Sequence, residues 1–150
     1  EHRGDNRSMS IERTLNLVLV EDDEIDVMNV RRALERAHVT NPVFVAHNGV
    51  EGLELLRSNA VPRDRRLVLL DLNMPKMNGI EFLRELRKDP VLRSTPVVVL
   101  TTSDDDRDKV QAYDLNVAGY LLKPVTFVNF VDVMAALNKY WALVELPELR

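Results

Sequence analysis

Four apolar runs in this chain end on residues able to do chemistry. Leu15–Val20 stops at Glu21-Asp22-Asp23-Glu24, Leu67–Leu70 at Asp71, Val97–Leu100 at Thr101, and Ala118–Leu122 at Lys123. If one rim collected these endings, it would hold three carboxylates, a hydroxyl and an ammonium. Like charges at that density repel unless a cation sits among them. Mg2+ suits the set, because it takes hard oxygen ligands, needs only one or two carboxylates, and leaves positions for water and phosphate oxygens. Three carboxylates, one Mg2+ and one lysine sum to zero. A carboxylate can attack phosphorus to give an acyl phosphate, which would add roughly one negative charge to that rim. Positioning and charge neutralisation supply most of the catalysis in such a transfer, so a metal, a lysine and a hydroxyl suffice. The acidic run after Val20 offers two adjacent pairs. Glu21-Asp22 is preferred over Asp22-Asp23 because it directly follows the apolar run.

The elements that would position these groups are visible as alternating patterns. Short branched apolar runs at 15–20, 43–46, 67–70, 97–100 and 118–122 predict buried strands. Between them lie helical spacings: Val27, Val30, Leu34 and Ala37; Val50, Leu53 and Leu56; Ile80, Leu83 and Leu86. A further helix opens at Asp104-Asp105-Asp106, whose charges suit a helix N-terminus. The last helix carries Phe127, Phe130, Val131, Met134, Leu137 and Trp141 on one stripe. Near-continuous apolar strands alternating with amphipathic helices mean an α/β, doubly wound, five-stranded parallel sheet covered on both faces. Ligands of such sheets bind outside the carboxyl ends of the strands, where the named residues fall.

Composition narrows the function classes. The 150 residues hold 20 basic and 24 acidic side chains, a formal charge of −4, which disfavours a nucleic-acid binder held by phosphate neutralisation. Cysteine is absent, excluding disulfides and thiolate chemistry, and three histidines are too scattered for a His-rich metal site. No apolar run reaches the roughly 20 residues of a membrane helix, so a cytoplasmic protein without membrane contact is expected. Residues 1–13 are polar and aperiodic and predict a disordered leader, 14–141 a single domain, and 142–150 a C-terminal extension.

Taken together, Val20-Glu21-Asp22-Asp23, Leu70-Asp71-Leu72-Asn73-Met74-Pro75 with Gly79, Leu100-Thr101-Thr102 and Gly119-Tyr120-Leu121-Leu122-Lys123-Pro124 resemble the motifs of a response-regulator receiver domain, the phosphoacceptor half of two-component signalling. The resemblance spans residues 15–141. It implies the flavodoxin-like, CheY-like strand order 2-1-3-4-5 and a phosphoacceptor that catalyses only its own phosphorylation and slow dephosphorylation. It further implies that Asp71 is phosphorylated, that Asp22, Asp71 and the Asn73 backbone carbonyl hold Mg2+, and that Glu21 acts through a water. Thr101 and Lys123 would contact phosphoryl oxygens, and Lys123-Pro124 would be a cis peptide. Tyr120 would be a switch that fills space vacated when phosphate draws Thr101 inward. The stretches Arg57–Arg66 and Lys88–Thr95, with Lys139-Tyr140-Trp141 and Val144-Glu145-Leu146-Pro147, are similar to stand-alone receivers paired with phytochrome-type histidine kinases.

Other readings compete. A haloacid-dehalogenase-type phosphatase would carry Asp-x-Asp after strand one, where this chain has its Asp-Leu-Asn after strand three. A flavodoxin-like electron carrier would need a hydroxyl-rich phosphate loop where Glu21–Glu24 stand. A phosphate-independent receiver-like binding module would not need every site position filled. With nine residues after Trp141, the expected output is contact with a downstream protein or phosphotransfer protein. A homodimer is also expected, with Tyr140, Trp141, Leu143, Val144 and Leu146 forming an apolar arm over the partner copy. The competing arrangement folds that tail back on its own subunit.

Overall fold

The structure, a computed structural model, describes residues 14–124 and 126–146. The expected leader at 1–13 and the end of the extension, with Pro147, lie outside the described residues. Strands β1 (Asn16–Val20), β2 (Val43–Ala46), β3 (Arg66–Leu70), β4 (Val97–Thr101) and β5 (Gly119–Leu122) alternate with helices α1 (Glu24–Arg36), α2 (Gly49–Arg57), α3 (Gly79–Lys88), α4 (Asp106–Asp114) and α5 (Phe127–Trp141). The strands form one parallel sheet in the order β2-β1-β3-β4-β5.

Every residue of β1, β3 and β4 is buried, which is why those strands are apolar except for Asn16, Arg66 and Thr101 at their ends. Side chains still alternate between faces. Leu17, Leu19, Leu67, Leu69, Val98 and Leu100 pack with Val27, Val30 and Leu34 of α1 and with Phe130, Met134 and Trp141 of α5. Val18, Val20, Val68, Leu70, Val97 and Val99 face Leu53 and Leu56 of α2, Phe82, Leu83 and Leu86 of α3, and Ala112 of α4. Helix starts follow local polar chemistry. Asp23 caps α1, Asn78 and Glu81 form a reciprocal capping box on α3, Asp105 caps α4, and Thr126 caps α5. No helix among the described residues is long and apolar enough to cross a membrane.

Three arginines staple the end of the sheet opposite the strand carboxyl termini. Arg66 is 2% exposed and donates to the carbonyls of Leu56, Val61 and Pro62, closing the end of α2 and the connection to β3. Arg87 reaches the carbonyls of Leu115 and Asn116 after α4 and those of Arg93 and Thr95 before β4. Arg65 donates to the carbonyls of Trp141 and Val144 at the end of α5. Cations at helix C-termini satisfy carbonyls that have no intrahelical donor.

Arg65 also decides the course of the tail. Residues 142–146 do not form a free arm: Val144 and Leu146 pack, half-buried, against the α1/α5 core of their own subunit. Burying them within the chain avoids the entropy cost of association, and the Arg65 hydrogen bonds hold the segment there. Phe127, expected on the buried stripe, is 37% exposed, because the first residue of α5 lies at the rim of the sheet.

Candidate phosphoacceptor and metal site

The sheet changes winding direction between β1 and β3, whose carboxyl ends lie side by side. Val20 pairs with Leu70, and the Asp71 amide donates to the Val20 carbonyl at 3.1 Å. That ladder places Glu21 and Asp71 next to each other at the crevice where such folds bind ligands. Glu21 and Asp71 are buried, Asp22 is exposed at the mouth, and single carboxylate oxygens of the three lie within 4.8 Å of one another. Three acidic oxygen donors at this separation fit a hard divalent cation such as Mg2+. Asn73 is exposed on the loop that follows Asp71.

Gly79 keeps this loop close. A Cβ there would stand 2.6 Å from the Asp71 carbonyl oxygen and 2.7 Å from Leu72 Cα, both backbone atoms that cannot rotate away. The start of α3 therefore rests directly behind the acidic residue, which explains a glycine eight positions after it.

Strand β4 delivers Thr101, fully buried, with its hydroxyl donating to Asp71 Oδ1 at 2.9 Å. Without phosphate this hydroxyl is turned toward Asp71, because the carboxylate is the acceptor within reach of a buried O–H that must be satisfied. Tyr120 is half-buried, and its hydroxyl donates to the Ser103 carbonyl at 2.8 Å. Ser103 ties this region together, since its amide donates to Thr101 Oγ1 and its hydroxyl to Asp108 of α4 at 2.6 Å. Asp108 gave no sign in the sequence beyond its place in a helix's first turn.

Strand β5 delivers Lys123, whose amide donates to the Thr101 carbonyl. Its ammonium lies 2.7 Å from Glu21 Oε1, 2.7 Å from Asp26 Oδ2, and 3.9 Å from Asp71 Oδ2. Asp26 is an addition to the expected set. It sits in the first turn of α1, on which the Asp23 cap closes, and so faces the same rim. The Lys123-Pro124 bond is trans, not cis, as are all peptide bonds among the described residues; an X–Pro bond favours trans by about 0.5–1 kcal/mol.

Burial pushes the Glu21 carboxyl up to about 7 against the pull of Lys123, and the nearby Asp71 adds to the push. Burial alone would lower the Lys123 ammonium, but its hydrogen bonds to Asp26 and Glu21 outweigh that and raise it. One ammonium thus stands among the carboxyl groups of Glu21, Asp26 and Asp71.

Residues 17–135 match the response regulator receiver domain family. Among curated relatives, the probable methanogenesis regulatory protein FilR2 of Methanothrix harundinacea is 37% identical over 83% of this chain and 82% of its own length. Response regulator Rcp1 of Synechocystis is 32% identical over 87% of this chain and 92% of its own. The Mn2+-bound form of Rcp1 superposes with a TM-score of 0.75, covering 89% of this chain and 99% of that one at 31% identity. The phosphorylated cyanobacterial phytochrome response regulator RcpA superposes with a TM-score of 0.79, covering 89% and 98% at 34% identity. The fold, the strand order and the acidic crevice agree with these matches, and the chain belongs to the response-regulator receiver family of two-component signalling.

Proposed function

We propose that the protein accepts a phosphoryl group on Asp71 from a phosphohistidine of a histidine kinase, a phytochrome-type kinase being favoured by the similar structures named as phytochrome or bacteriophytochrome response regulators. The observation that carries this reading is a buried carboxylate at the strand-switch crevice, flanked by two acids, a hydroxyl and an ammonium. An Asp71 carboxylate oxygen attacks phosphorus, the donor's N–P bond breaks, and the imidazole leaves carrying its electron pair. Asp22, Asp71 and the Asn73 carbonyl would hold Mg2+, with Glu21 linked through water. When bound, the ion supplies neutralisation of the charge gathering on the phosphoryl oxygens. Thr101 then donates its hydroxyl to a phosphoryl oxygen in place of the free carboxylate. Through Ser103 that change reaches Tyr120 and the start of α4, the region through which phosphorylation alters contact with a downstream or phosphotransfer protein.

Incubation with acetyl phosphate or a phosphorylated kinase is the direct test. Mg2+-dependent labelling that is lost on hydroxylamine treatment is expected; labelling indifferent to chelation overturns the reading. Asp22→Ala removes an exposed ligand. It should abolish most of the Mg2+-dependent rise in melting temperature while leaving the metal-free protein as stable as before or slightly more so, since one of three crowded negative charges is gone. Equal Mg2+ shifts in both proteins would place the metal elsewhere.

We also propose that the chain forms a homodimer, through the β5–α5 edge and not through the tail. Leu122 of β5 and Tyr140 of α5 remain 44% and 63% exposed, and β5 is an edge strand. Tyr140→Asp should shift sedimentation from dimer to monomer. A wild-type protein that sediments as a monomer at all concentrations overturns this.

A further inference from the structure

The placement of Lys123 carries a consequence for the phosphoryl group. An ammonium has three N–H donors. In this chain two of them meet carboxylates at 2.7 Å, one on Glu21 and one on Asp26, while Asp71 at 3.9 Å is beyond hydrogen-bond reach. The Lys123 side chain is only 10% exposed and that of Asp26 29%, so water screens this pair less than a surface ion pair. Asp26 also changes the charge count of the rim. With Glu21, Asp22 and Asp71 it makes four carboxylates, which Lys123 and one divalent cation leave at a net −1 before any phosphoryl group arrives.

We propose that Asp26 is a positioning residue that holds the Lys123 ammonium off the Asp71 carboxylate, so that a phosphoryl group on Asp71 must compete with Asp26 and Glu21 for the charge of Lys123. This inference rests on the assignment of Asp71 made above. Asp26 sets how tightly the phosphorylated state is held without touching the reacting atoms. The same carboxylate favours the metal, because it adds negative charge near the ligands and keeps the lysine from pairing with Asp71. Removing its charge therefore acts in opposite directions on a phosphoryl group and on a cation. General loosening of the fold would weaken both.

Calorimetric titration of the full chain with beryllofluoride, an analogue of the phosphoryl group, at saturating Mg2+ reads the first effect. Titration with Mg2+ alone reads the second. Asp26→Asn is expected to bind beryllofluoride roughly fivefold more tightly than wild type, the scale of one partly screened ion pair, and to bind Mg2+ more weakly. Asp26→Glu, which restores the charge, is expected to return both affinities toward wild type. Beryllofluoride affinity that is unchanged or weaker in Asp26→Asn overturns the proposal, as does an Asp26→Glu variant that behaves like Asp26→Asn. Asp71→Asn separates the two levels of the argument. If that variant binds beryllofluoride as wild type does, the phosphoacceptor assignment falls and takes this inference with it. If binding needs Asp71 but ignores Asp26, only the role of Asp26 falls.

Discussion

Asp71→Asn should eliminate Mg2+-dependent phosphorylation, lowering labelling by at least about a hundredfold, since the nucleophilic oxygen is replaced by an amide while the shape is kept. The amide oxygen still accepts from Thr101, so the hydrogen bond at 2.9 Å has a partner and the β3–β4 register is preserved. The variant should also be more stable than wild type in the absence of divalent cations. Asp71 lies against Glu21, and its charge contributes to raising the Glu21 carboxyl, so neutralising it relieves a repulsion that burial amplifies. A thermal melt in chelator, run beside radiolabelling with acetyl phosphate, checks both effects. Residual labelling of the variant on another aspartate would show that the nucleophile had been misassigned.

Arg66→Ala is expected to produce the largest loss of stability, about 3–5 kcal/mol. The guanidinium is buried at the first residue of β3 and satisfies the carbonyls of Leu56, Val61 and Pro62 at 2.9, 2.7 and 2.8 Å. Truncation leaves those acceptors facing a cavity, and it adds the lost contacts of a long buried side chain. Against a total of about 5–15 kcal/mol for a domain of this kind, that is a large fraction. Arg66→Lys should recover only part of the loss, because an ammonium on a flexible stem does not reproduce the planar fork. Urea unfolding gives the comparison directly. A change below about 1 kcal/mol in Arg66→Ala would mean that water replaces the guanidinium at those carbonyls.

The architecture was legible in the chain because its signals are local. Val18, Val68 and Val99 sit in runs buried on both faces, so they leave no choice but central parallel strands, and Asp23, Asn78 and Asp105 mark helix starts by side-chain chemistry alone. The candidate site was legible for a related reason. Each of Glu21, Asp71, Thr101 and Lys123 immediately follows or closes a strand, Asp22 stands one residue beyond Glu21, and parallel strands share one carboxyl end, so topology delivers them to one rim.

Contacts between distant elements were not legible, because their energy depends on where separate segments meet. Asp26 looked like an ordinary first-turn acid until α1 was set against β5 and Lys123. Arg65 and Arg66 looked like the polar end of a loop, yet they are buried, since carbonyls at the ends of α5 and α2 need donors and these side chains reach them. Val144 and Leu146 read as an arm for another molecule because apolar character says that a residue will be covered and not by what. Their own core was nearer, and Arg65 held the backbone beside it. The sequence by itself determined the sheet, its two apolar faces and the identity of the rim residues, through periodicity and strand ends. The tertiary structure alone decided the partners of the buried charges and the course of the tail, because a charge or an apolar side chain specifies its need locally and finds its partner only in three dimensions.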